Sequence, residues 1–99
     1  MSKNQDLTLT APVSKKQVSR VIKEVETRLD VPTQWRGGRQ SWGWSSRVDV
    51  SITDDYIHPG RKVIDFHWVG KSDHNFPETF REVALEQGLP VGELRKISY

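Results

Sequence analysis

"RVDVSITDDYIHPGRKVIDFHWV", residues 47–69, decides the fold. Val48, Val50 and Ile52 alternate with Asp49, Ser51 and Thr53, the period-two pattern of a strand with one apolar and one wet face. "DDYIHPG" is turn chemistry, with paired aspartates followed by Pro59-Gly60. "KVIDFHWV" is a second strand, with Ile64, Phe66 and Trp68 on its core face and Val63, Asp65, His67 and Val69 on the other. If the two core faces meet in a hairpin, Ile52 sits beside Ile64 and Val48 near Trp68. His67 then falls opposite Asp49, and Asp65 opposite Ser51.

Working outward, helices flank this pair. "SKKQ" at Ser14–Gln17 fits a capping box, in which the serine hydroxyl and the glutamine side chain serve opposite orphan amides. Val18, Val21, Ile22, Val25 and Leu29 follow at helical spacing, so one apolar stripe runs to a helix end near Asp30, before Pro32. "FPETFREVALEQG" is the second helix. It has Pro77 in its first turn and Phe76, Phe80, Val83 and Ala84 along one side. Gly88, Leu89 and Pro90 form a stop signal. At the ends of the chain, "DLTLTAPV" alternates Leu7 and Leu9 with threonines, and "ELRKISY" reads as a last strand.

The expected class is α+β, in the ferredoxin-like order β-α-β-β-α-β: a four-stranded antiparallel sheet with two helices on one face. The alternative is α-β-β-β-α, with a strand supplied by residues 31–47. That second order resembles the double-stranded RNA-binding domain, but the second helix here is net acidic where that family carries a lysine cluster. Residues 1–5 are expected to fray, and residues 6–99 to form a single domain.

A 99-residue chain has room for one core. It has no cysteine, which excludes disulfides and thiolate metal sites. The polar start "MSKNQDLTLT" has no signal-like apolar stretch, and no apolar run reaches membrane-spanning length, so a cytoplasmic protein without a membrane partner is expected. The net charge of +2 permits an anionic partner without requiring one. "WRGGRQSWG" has neither the GxGxxG spacing nor a P-loop lysine. The spacings of His58, His67 and His74 with Asp54, Asp55, Asp65 and Asp73 match no ligand pattern. No cofactor and no metal are expected.

The candidate site is "WRGGRQSWGWSSR". It holds three of the chain's four tryptophans, and no acid falls between Asp30 and Asp49. Trp35, Trp42 and Trp44 would stack on unpaired bases, each worth about 1–3 kcal/mol. Arg36, Arg39 and Arg47 would contact phosphates, and Gly37, Gly38 and Gly43 would allow close backbone approach. Trp and Arg are also the residues most enriched at interface hot spots. The alternative is therefore a protein-interaction module such as an inhibitor, an immunity protein or an adaptor of a larger complex. A third reading packs the rings over the sheet in a hairpin turned at Gly37-Gly38.

An enzyme is not expected. The one arrangement that hints at chemistry is His67 across from Asp49, which would orient an imidazole as a general base. On a wet sheet face the same pair is an ordinary cross-strand contact, and no nucleophile signature accompanies it. RNA-recognition domains of ferredoxin-like order stack bases on outer-face aromatics. Here those positions are Val63, Asp65, His67 and Val69. "DDYIHPG" reads as a solvated turn whose short acids bond their own backbone, or as a grip for a cation or a partner's arginine.

Overall fold

The computed structural model describes residues 2–31, 33–35, 48–69 and 75–96. In chain order its elements are β1 (Ser2–Leu9), α1 (Lys15–Leu29), β2 (Thr33–Trp35), β3 (Val48–Asp54), β4 (Lys62–Val69), α2 (Phe76–Glu86) and β5 (Val91–Lys96). They form one α+β fold with a five-stranded open sheet ordered β2-β3-β4-β1-β5. The four strands from β3 to β5 are antiparallel to their neighbours, while β2 runs parallel to β3.

This element order contains parts of both expected ones. The two terminal strands are those of β-α-β-β-α-β, and β2 is the extra strand of the alternative. β2 is only three residues long, too short for alternation to show in sequence. Its entry is fixed from α1, where the Thr33 hydroxyl donates to Glu26 Oε1 at 2.6 Å. Thr33 pairs with Val48 and Trp35 with Val50 in parallel register, so β2 and β3 are not the two arms of a hairpin.

β1 begins at Ser2, well before the alternating residues that mark it in the sequence. Residues 2–5, expected to fray, pair with residues 66–69 of β4. β5 likewise starts earlier than the tail pattern indicates, at Val91. Residues 97–99 lie outside the described residues.

The core lies between the helices and one face of the sheet. Leu7, Leu9, Val48, Val50, Ile64, Phe66 and Trp68 point inward and meet Val18, Val21, Ile22 and Val25 of α1 and Phe76, Phe80, Val83 and Ala84 of α2. Every residue of that set is under a tenth exposed. α1 starts on the expected capping box, with Ser14 Oγ accepting from the Gln17 amide at 3.2 Å and Gln17 Oε1 from the Ser14 amide at 2.8 Å. α2 stops where Gly88 takes φ +79°, a left-handed conformation that favours glycine. Leu89 then folds back into the core, its amide donating to the Ala84 carbonyl at 2.9 Å. Among the described residues no helix is long and apolar enough to cross a membrane.

The β1–β5 pairing is irregular between Leu7 and Leu9. There the Glu93 amide donates to the Thr8 hydroxyl at 2.8 Å, so a side chain stands in for a ladder carbonyl. Gly92 makes room for it, because a Cβ at that position would collide with Thr8 Oγ1.

Candidate functional site

Of the six residues the sequence singles out, Trp35 is described. It lies in β2, half-buried, and packs against the core. Its ring contributes to the structure at the sheet edge whatever else it does. Arg36, Arg39, Trp42, Trp44 and Arg47 lie outside the described residues, as do Gly37, Gly38, Gly43 and His74.

The face of the sheet away from the helices, where described, is not the wet surface expected. The hairpin register is the one read from the sequence: Asp49 pairs with His67, Ser51 with Asp65 and Ile52 with Ile64. β1 extends these rows, with Asn4 beside His67 and Asp6 beside Asp65. Arg95 of β5 lies beside Asp6. One row therefore reads Arg95, Asp6, Asp65, Ser51 across four strands. Asp6, Ser51 and Asp65 are only 2%, 2% and 6% exposed, so the pairs of this row are not solvated surface contacts, while Asp49 and His67 are half-buried.

Burying carboxylates is costly unless they are paired. Arg95 meets that cost at two of them. Its Nε and Nη2 donate to the two oxygens of Asp6 at 2.7 and 2.8 Å, a two-pronged bond that suits a planar guanidinium. Nη2 also reaches Asp55 Oδ1 at 3.3 Å. Asp6 holds the Arg95 guanidinium charged beyond the usual arginine range, and Asp55 adds to this against the opposing pull of burial.

Asp55 corrects the reading of "DDYIHPG" as a solvated turn. It is 3% exposed, and the arginine it grips belongs to its own chain. It also bonds its own backbone as expected of a turn aspartate, accepting from the Ile57 amide at 2.9 Å. Burial pushes the Asp55 carboxyl up, but the Ile57 amide, Arg95 and the His58 amide together hold it below the ordinary carboxylate range. Asp54 is exposed and pairs with Lys62. The turn is therefore pinned from inside, while Tyr56 and Ile57 stay 70% and 53% exposed at its tip.

Beside the turn lies a groove of about 300 Å³, bounded by Thr8, His58, Arg61, Glu93 and Arg95. A neighbouring hollow of about 210 Å³ continues along Thr10, Pro12 and Gly60. Both are shallow; the first is mixed in charge, and the charged residues of the second are Arg61 and Lys62. Among the described residues no three of His, Asp and Glu are placed to hold a metal ion. The outer positions of β4 are Val63, Asp65 and His67, and Asp6 lies beside Asp65. That face offers carboxylates where a base-stacking sheet needs rings.

Sequence reasoning missed Asp6 and Arg95. They stand 89 residues apart, one an outward residue of a short strand and the other in an irregular tail. No local spacing links them. Asp6 lies between Gln5 and Leu7, and Asp55 between Asp54 and Tyr56, so neither carries a local mark of burial. No protein-family model matches the chain, and no curated protein or solved structure matches it significantly.

Proposed function

We propose that this domain is a small non-catalytic binding protein that holds single-stranded nucleic acid with its Trp35–Arg47 segment. One observation carries the reading: three tryptophans and three arginines fall in a run without an acid, and that run begins at Trp35 in the outermost strand. The buried carboxylates Asp6 and Asp55 are gathered at the opposite side of the sheet, around Arg95 of the other edge strand. In this reading Trp35 anchors the segment, Trp42 and Trp44 stack on bases, and Arg36, Arg39 and Arg47 meet phosphates. The setting is cytoplasmic. The four antiparallel strands, ordered β3-β4-β1-β5 with the helices packed on one face, support a ferredoxin-like fold with β2 added at its edge.

Mixed-sequence oligonucleotides should quench the tryptophan fluorescence at low salt. If the three arginines each neutralise one phosphate, log K should fall against log salt with a slope of about −2. Arg39→Glu should weaken binding and flatten that slope with the fold unchanged. Absence of quenching at low salt would sink the proposal.

The second reading is a protein-interaction module, an inhibitor, an immunity protein or an adaptor. The exposed pair Tyr56 and Ile57 on a pinned turn favours it.

A further inference from the structure

The large apolar side chains left exposed among the described residues are Tyr56, Ile57 and Leu85. They fall in two patches of opposite charge. At the β3–β4 turn both acids are already engaged, Asp55 with Arg95 and Asp54 with Lys62. Arg61 is exposed and has no acidic partner among the described residues. On α2 the reverse holds. Glu78, Glu82 and Leu85 recur at helical spacing along an exposed stripe, and neither Glu78 nor Glu82 has a basic partner among the described residues. Glu86 at the end of the stripe is taken by Arg28 at 2.9 Å.

The end of α2 that carries Leu85 lies at the same end of the fold as the turn, and the stripe runs from there back to Glu78 in the first turn of the helix. α2 ends at Glu86 and reaches Pro90 four residues later. The Pro90 carbonyl accepts from the Thr10 amide at 2.9 Å, and Thr10 borders the groove beside the turn together with Arg61.

We infer that the chain forms a two-fold dimer in which Tyr56, Ile57 and Arg61 of each copy dock on the Glu78–Glu82–Leu85 stripe of the other. Charge complementarity selects a second copy as the occupant: the turn presents one ring, one aliphatic group and a cation, and the helix presents an aliphatic group and anions. A two-fold axis lets both contacts form together, so the assembly closes at two copies. The turn enters the contact already shaped, because Asp55 holds its backbone and Arg95 holds Asp55. Little order has to be gained on binding. The contact area is small and its ion pairs lie at the rim, so the dimer is weak and salt-sensitive.

Sedimentation velocity of the full chain, from micromolar to millimolar protein at low salt, tests this. The weight-average coefficient should rise toward a dimer and no further, and added salt should lower it. The double variant Tyr56→Ser, Ile57→Ser should weaken association by at least about tenfold, with circular dichroism unchanged. Arg61→Glu and Glu82→Arg should each weaken it. An equimolar mixture of those two single variants should form a heterodimer, because both of its contacts regain opposite charges. A wild-type chain that stays monomeric throughout, growth beyond two copies, a double variant that associates like wild type, or a mixture no better than its components would each overturn the inference.

Discussion

Phe66→Ala should cost about 3–5 kcal/mol, the range for emptying an aromatic site in a packed core. Phe66 has no exposed surface and sits on β4, with β3 and β1 on either side. Its ring centroid is 5.0 Å from that of Phe80 and 6.0 Å from that of Phe76, both in edge-to-face geometry. Truncation therefore removes the transfer energy of one ring and breaks two favourable ring contacts at once. It also opens a cavity between sheet and helix that neither rigid element can close. A domain of this size is stable by about 5–15 kcal/mol in total, so the variant should be largely or marginally unfolded at 37 °C. Urea denaturation followed by far-UV circular dichroism measures the loss. Phe66→Leu, which keeps most of the volume, should cost much less. A loss under about 1 kcal/mol in the alanine variant would remove Phe66 from the centre of the core.

Arg95→Leu should be the second most damaging change, at about 3 kcal/mol. Removing one partner of a buried ion pair typically costs about 3–5 kcal/mol, because the other charge is left without compensation. Here two carboxylates are left. The lower end applies because the Arg95 side chain is 22% exposed and solvent already screens part of the interaction. Asp6→Asn should cost less, since an amide oxygen still accepts from the guanidinium.

The same network sets an acid response. The folded state holds the Asp55 carboxyl below its ordinary value. Its contribution to stability is therefore complete above the unfolded-state value and is lost as pH falls through the folded-state value. The deficit of Arg95→Leu relative to wild type should narrow over that acid range, because protonated Asp55 no longer needs the guanidinium. Denaturation midpoints of the two proteins at neutral and acid pH check this, and a deficit that widens in acid would contradict it.

How much of this was legible in the sequence depends on the range of each interaction. The helices were, because the Ser14 and Gln17 cap and the Gly88-Leu89 stop act over a few residues. The β3–β4 register was also legible, because Ile52 and Ile64 cannot both face the core in any register shifted by one. β2 was legible only as the alternative strand within residues 31–47, since three residues in a tryptophan-rich run carry no alternation to place it. The outer face was misjudged for a related reason. Alternation shows which side a residue takes, and it cannot tell whether that side is covered. Asp65 and Ser51 alternate as solvent-facing residues do and are nevertheless buried. Nothing in sequence pattern joins Asp6 to Arg95, and the role of the "DDYIHPG" turn depends on that link.

The Asp6–Arg95–Asp55 link has a kinetic consequence. It joins residues separated by 89 and 40 positions along the chain, so it forms only after β1, β5 and the β3–β4 turn have come together. Contacts of such long sequence separation are made late in folding, and the interactions made last govern how fast the native state is left rather than how fast it is reached. Loss of Arg95 should steepen the escape from the folded state while leaving the refolding rate nearly unchanged. The arginine then acts as a latch on the lifetime of the fold, closing one end of the sheet after the rest is built.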